Sequence, residues 1–389
     1  MRRIITIVKS KINKNSYFGN ILYSTGIWMV YHIKRIKLRM QYVKDIIKAI
    51  IKSGKVKKLH NYPETIQLPI TYKCNFNCIM CGMHNICNRP DFSSDELGKI
   101  LSDKLFERIT TIGLNGGEPF LKPDLIDCVR KMIKLPKLEE INIISNGFFT
   151  NTIVDKLYEI HELCSAKGIK VNLSLSVDGV GDTQDFMRGK KDSWINVNKT
   201  INQIKGNKHL CDKLGIICTI TKHNIYNIGE VELWARRNKL LVSYNIATVN
   251  NRIDNHDRVE NFSVFNDALA RKMTQEFFYK KAIQEKSQKY YGLYLYVRYH
   301  KRYSMCKCQN NSWVTLTPNG QISYCATHSD ELGDAKKVSA YNIFNGNIKH
   351  LKRIKKTYCN TCSHYMQSLN VEGLKLYYHD LLDEQKIMY

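Results

Sequence analysis

Thr71-Tyr-Lys-Cys74-Asn-Phe-Asn-Cys78-Ile-Met-Cys81 sets three thiols at x3 and x2 spacing. Thiolates are the usual protein ligands of iron–sulfur clusters, and four is the normal number for a cubane. Three thiolates leave the fourth iron without a protein ligand, so a different molecule must complete it. Zinc is the competing reading of short cysteine spacings, with His84 and Cys87 nearby as further donors.

Farther along, Ile112-Gly-Leu-Asn-Gly-Gly-Glu-Pro119 reads as a strand running into a tight turn, with glycines for close backbone approach and Glu118 as an acceptor. Leu138–Ser145, Lys170–Asp178, Leu214–Thr221 and Leu241–Ala247 are strand-like runs. Between them fall helical patterns over Lys122–Ile133, Thr152–Ala166, Trp194–Lys205 and Ile228–Asn238. Strands alternating with helices predict an α/β fold with a parallel sheet. Polar residues after the strands occupy the positions where βα barrels carry their chemistry.

The cysteine triplet followed by Gly116-Gly117-Glu118-Pro119 closely resembles the radical SAM superfamily. The resemblance implies a partial (β/α)6 TIM-like barrel. It also implies a [4Fe–4S] cluster on Cys74, Cys78 and Cys81, whose open iron chelates S-adenosylmethionine (SAM). Gly116, Gly117, Glu118 and Pro119 would bind the SAM ammonium, Ser176 and Asp178 its ribose, Asn224 its nucleoside and Arg188 its carboxylate. Met80 stands where many members of the family carry an aromatic residue, and a long thioether fills the same packing role. Each polar residue also has a plainer reading as a cap or turn.

A second cysteine group follows. Cys306 and Cys308 precede Trp313-Val-Thr-Leu-Thr-Pro-Asn-Gly-Gln-Ile-Ser-Tyr-Cys325, and Cys359-Asn-Thr-Cys362 comes after. Pro-Asn-Gly between alternating runs predicts a β-hairpin that brings these thiols together. The pattern resembles the twitch and SPASM extensions of radical SAM enzymes, shortened to one auxiliary [4Fe–4S] cluster. Spacing leaves open whether Cys306 or Cys308 is the first ligand, and a zinc ribbon is the rival reading. Cys87, Cys128, Cys164, Cys211 and Cys218 follow no pattern and read as ordinary core thiols.

The formal net charge of +25 is concentrated near the start, where Asp45 is the sole acid among the first sixty residues. Tyr17–Ile33 is an uncharged stretch between basic blocks, too short and polar to cross a membrane. A basic arm packed on the barrel, a peripheral contact of residues 1–60 with the inner membrane face, and nucleic-acid binding are the readings, in falling order. No secretory signal is visible and the cysteine spacings are those of metal sites, so a reducing, cytoplasmic setting is expected. Four segments follow: a basic, mainly helical 1–66, a barrel over 67–250, a linker with a helix over 251–303, and an auxiliary-cluster region with a C-terminal helix over 304–389. Ala268–Lys289 reads as one helix and Tyr290–Tyr303 as a cover for the substrate mouth or a strand and turn.

By the resemblance, the chain is an oxidoreductase fed by flavodoxin or ferredoxin. It would make a 5′-deoxyadenosyl radical, abstract hydrogen from an unactivated C–H bond and pass an electron to the auxiliary cluster. Basic charge favours a polar or anionic small molecule, such as a sugar, aminocyclitol or lipid- or nucleotide-linked glycan. Peptide maturation is the alternative, RNA modification a third reading, and a non-catalytic zinc-binding interaction protein the reading from another class.

Overall fold

The computed structural model describes residues 17–57, 60–364, 366 and 368–387. Six parallel strands form its centre: β1 Thr65–Pro69, β2 Thr111–Asn115, β3 Glu140–Ser145, β4 Lys170–Ser176, β5 Lys213–Ile220 and β6 Val242–Ile246. They lie in chain order, with helices Leu125–Met132, Thr150–Ser165, Ser193–Ile204 and Ile228–Arg237 in the connections. This is the expected partial-barrel arrangement. Each boundary falls within a few residues of the sequence pattern, as frayed ends require.

Alternation along the strands divides the sheet into two unlike faces. Ile66, Leu68, Ile112, Leu114, Ile141, Ile143, Val171 and Leu173 are buried on one face. Helix residues at i, i+3, i+4 and i+7, such as Leu125, Cys128, Val129 and Met132, cover them. The opposite face carries Gln67, Asn115, Asn142, Asn172, Thr219, Ser243 and Asn245. A closed barrel of this type fills its interior with branched apolar side chains. Here polar residues and an open cavity take their place.

The C-terminal hairpin joins this sheet. After β7 (Ser304–Met305), β8 (Trp313–Leu316) pairs parallel with β1, aligning Thr65 with Trp313 and Gln67 with Thr315. β9 (Gln321–Ser323) and β10 (Gly333–Asp334) extend the edge antiparallel, giving a nine-stranded sheet. The predicted Pro318-Asn319-Gly320 turn is present, with Gly320 at φ 88°. A small sheet pairs β7 with β11 (Ser368–Leu369).

Two linker expectations are corrected. The helix starting at Ala268 ends at Glu285, because Lys286 turns left-handed at φ 52°. Ser287 then caps a second helix, Gln288–Tyr299, so the Tyr-rich segment is helical over most of its length and not a strand and turn. Tyr290 through Val297 are all buried, and burial on every side erases the helical period from the sequence. Near the start of the chain, the helix Tyr17–Lys57 packs on Val371–Ile387, while residues 1–16 lie outside the described residues.

Candidate active site

The cysteine loop leaves β1 and runs beside the Gly-Gly-Glu segment. Gly117 N–H donates to Thr71 O at 2.8 Å and Glu118 N–H to Lys73 O at 2.8 Å. A Cβ on Gly117 would stand 2.1 Å from Lys73 O, and Gly116, at φ 148°, would place one 2.6 Å from Thr71 O. The two glycines therefore allow one backbone to lie against another, and both also stand in the wall of the cavity that the three thiols face. Asp91 accepts from Tyr72 N–H at 2.9 Å, and Asn255 donates to Met80 O at 2.8 Å. Arg258 holds Asn77 at 2.9 Å and Asn146 holds Asn75 at 2.8 Å. The Tyr72 hydroxyl reaches Asn319 at 3.0 Å, tying the loop to the hairpin turn.

Cys74, Cys78 and Cys81 all face one cavity of about 680 Å³, with Met80, Gly116, Gly117, Ser176 and Arg188 in the same wall. Burial pushes Cys74 up to about 12 and Cys78 up to about 11, against the pull of Arg188 on Cys78. Among the described residues no group of three His, Cys, Asp or Glu side chains already stands in a metal-holding arrangement. A cluster would therefore draw these thiols together and displace their protons. The donor set fits: three thiols on one loop, open to one cavity, with a cation beside Cys78. Met80 packs its side chain on Met187 and Phe262.

Four of the expected SAM contacts lie outside the cavity wall. The buried Glu118 carboxylate accepts from Asn146 N–H at 2.7 Å, Ser145 Oγ at 2.9 Å and Phe120 N–H at 3.2 Å. Burial outweighs these donors and raises it to about 7. Pro119 starts the turn that follows and is buried. Asp178 is fully buried, paired with Arg188 at 2.8 Å and accepting from Thr219 N–H at 2.7 Å. The Asn224 amide is taken up by the loop, donating to Asp178 O at 2.8 Å and Thr219 O at 2.9 Å. It bridges two strand ends, as a turn residue does.

The cavity runs from the cysteine loop to β6, where Ser243 and Asn245 face it along with Arg252 and Lys289. Arg252 donates to Asn115 at 3.1 Å. Lys289 donates to Ser243 Oγ at 2.7 Å, and burial lowers it to about 8. Neither cation belongs to a motif. The one sequence signal for this end of the cavity is the polar alternation Ser243, Asn245 within β6.

Cys306, Cys308 and Cys325 pack together around Trp313. Cys359 and Cys362 are close enough that their thiols feel the charge of Cys306 and Cys325. The hairpin thus groups Cys306, Cys308 and Cys325, with Cys359 and Cys362 on the segment that follows. Buried Arg302 sits among them, donating to the carbonyls of Cys362 at 3.0 Å, His364 at 2.8 Å and Ser304 at 2.9 Å. Ser363 and His364, directly after Cys362, are in the wall of the main cavity. Of the unpatterned cysteines, Cys128, Cys164, Cys211 and Cys218 are buried as expected, while Cys87 is only half-buried.

The sequence profile of the Radical SAM superfamily matches residues 68–259. This stretch is a radical SAM domain. A probable GTP 3′,8-cyclase of Sulfurisphaera tokodaii is 22% identical over 303 residues, which is 75% of this chain and 88% of the relative. A probable GTP 3′,8-cyclase of Methanococcus aeolicus is 33% identical over 107 residues, so there the match spans 26% of this chain and about a third (36%) of the relative. Among solved structures, anSMEcpe with bound AdoMet aligns at a TM-score of 0.55 and 14% identity, over 84% of this chain and 96% of that one. Streptococcus suis SuiB bound to precursor peptide SuiA aligns at 0.52 and 15% identity, over 78% and 70%. At these identities the structures speak for the fold alone. Residues 68–259 thus carry the domain of a family that uses a [4Fe–4S] cluster and SAM.

Proposed function

We propose that this enzyme abstracts hydrogen from an anionic small molecule held between the cysteine loop and β6, with a second cluster on the hairpin thiols taking up an electron. When bound, the cluster and SAM supply a 5′-deoxyadenosyl radical, which is the cofactors' own chemistry. The barrel residues hold and screen the substrate. The observation that carries the reading is the pair of cations, Arg252 and Lys289, facing the same cavity as Cys74, Cys78 and Cys81. A guanidinium and an ammonium in one partly enclosed space favour phosphate or carboxylate. The position of Ser363 and His364 in that wall supports the hairpin thiols as an electron acceptor next to the substrate.

The relatives named GTP 3′,8-cyclase favour a nucleotide within the anionic class, although their name states a ring closure rather than a net oxidation. The likeness to the peptide-bound SuiB structure extends to the fold only.

Anaerobically reconstituted enzyme, given reductant and SAM, should form 5′-deoxyadenosine faster with an anionic substrate, and GTP belongs in the first panel. Arg252→Met and Lys289→Met should each raise KM for it about tenfold or more, with uncoupled SAM cleavage retained. Wild type should hold about eight irons and a Cys325→Ala/Cys359→Ala/Cys362→Ala variant about four. Unchanged KM in both cation variants would overturn the substrate class. Four irons in wild type would overturn the second cluster.

A further inference from the structure

The helix Tyr17–Lys57 has two apolar faces. On one, Leu38, Tyr42, Ile46 and Ala49 pack against the body of the molecule, with the Tyr42 and Tyr378 rings 5.2 Å apart. On the other, Met29, Ile33, Ile36, Met40, Val43 and Ile47 follow one another at alternating steps of four and three. That spacing keeps them in a single stripe. Each of the six is between 40% and 59% exposed, and Trp28 beside Met29 is 62% exposed. No second helix covers this stripe among the described residues. A continuous apolar ridge of this length is not normal surface.

The charge around it has one sign. Lys37 and Lys44 border one edge, Arg39 the other, and Lys48 continues the series. The helix has a single acid, Asp45, which lies on the inner side and accepts from Tyr378 Oη at 2.6 Å and Gln288 Nε2 at 3.0 Å. The outer face therefore joins apolar side chains to cations without an acid of its own.

We propose that this stripe seats the enzyme on an anionic lipid surface. Apolar side chains enter the boundary between headgroups and acyl chains while flanking lysines and arginines reach the phosphates. An indole at the end of the stripe suits the same boundary. No helix among the described residues is long and apolar enough to cross a membrane, so the helix lies on the surface. A second copy along the stripe, in either direction, would set the cations flanking one stripe against those flanking the other, which opposes pairing. Nucleic acid would use the cations and leave the ridge uncovered. An acidic helix would need its acids at matching heptad positions, whereas an anionic bilayer supplies area and charge without register.

The test is sedimentation of the full chain with vesicles of phosphatidylcholine, with and without phosphatidylglycerol, at low and high salt. The full chain should bind the mixed vesicles, leave the neutral ones, and release as salt rises. Ile36→Glu/Val43→Glu and Lys37→Glu/Lys44→Glu should each lower partitioning about tenfold or more. Both variants should keep wild-type iron content and form 5′-deoxyadenosine normally in solution, since no residue of the cavity is altered. Absence of vesicle binding, equal binding to neutral vesicles, or full binding by both variants would overturn the proposal. So would a dimer that Ile36→Glu/Val43→Glu dissolves, which would assign the stripe to a second copy. Binding to polyglutamate but not to vesicles would assign it to an acidic protein.

Discussion

Glu118 shows how a motif residue can serve the fold around a site. Its carboxylate collects donors from Ser145, Asn146 and Phe120, and so joins the end of β2 to the end of β3 beneath the cysteine loop. Burial raises it from an ordinary 4.5 to about 7. Between these values the folded protein holds a proton that the unfolded chain has released. Stability from this group is therefore full below about 4.5 and is lost as pH rises through about 7. The loss amounts to about 3 kcal/mol at most. His364, lowered to about 3 by burial, gives the opposite slope, because the unfolded chain takes up its proton first. The group is thus isolated by comparing wild type with Glu118→Gln in urea unfolding at pH 5 and pH 8. Wild type should lose more stability than the variant between those two values. An equal change in both proteins would mean that Glu118 titrates normally. The sequence placed the three thiols and the glycine turn, because each is a local pattern with one chemical meaning. It could not place Arg252, Lys289 or Arg302, whose roles come only from long-range packing. It also could not distinguish glycines needed against a ligand from glycines needed against Thr71 and Lys73.

Among the elements, helix periods survived in the sequence where one face is buried and vanished where every face is. Thr150–Ser165 buries Ile153, Leu157, Ile160 and Cys164, and its pattern is plain. Gln288–Tyr299 has no polar face to contrast, so its aromatics suggested other structures. This helix, Tyr17–Lys57 and Val371–Ile387 meet at Asp45, which accepts from Gln288, Tyr378 and, within its own helix, Gln41 at 2.9 Å. Asp45→Ala strands the buried Tyr378 hydroxyl, and an unmade buried hydrogen bond costs about 1–3 kcal/mol. The urea midpoint should fall accordingly. Tyr378→Phe added to Asp45→Ala should cost little more, because the stranded donor is gone. Fully additive losses would show that the carboxylate acts mainly through other partners.

At the scale of the whole molecule, the cysteine hairpin is part of the barrel's sheet. β1 is paired by β2 on one side and by β8 on the other, and the cysteine loop begins where β1 ends. The turn at Pro318 and Asn319 also holds the loop through Tyr72 Oη to Asn319 at 3.0 Å, and the segment that follows it through Phe92 N–H to Pro318 O at 2.6 Å. Two causes are therefore available if the C-terminal region proves necessary for SAM cleavage: lost pairing or lost metal. A chain ending at residue 303 exposes the edge of β1, with the aggregation tendency of an unpaired strand. It also frees the loop that carries Cys74, Cys78 and Cys81. A Cys325→Ala/Cys359→Ala/Cys362→Ala variant removes ligands and leaves β8 in register. The truncated chain should lose SAM cleavage about 10²-fold, the cost of an ångström-scale misplacement, and lose amide-exchange protection over Thr65–Pro69. The cysteine variant should keep both that protection and SAM cleavage, while its turnover of substrate falls. Equal SAM cleavage by the truncated chain and wild type would show that the barrel orders its cysteine loop without the hairpin, leaving the shared sheet with no part in the chemistry.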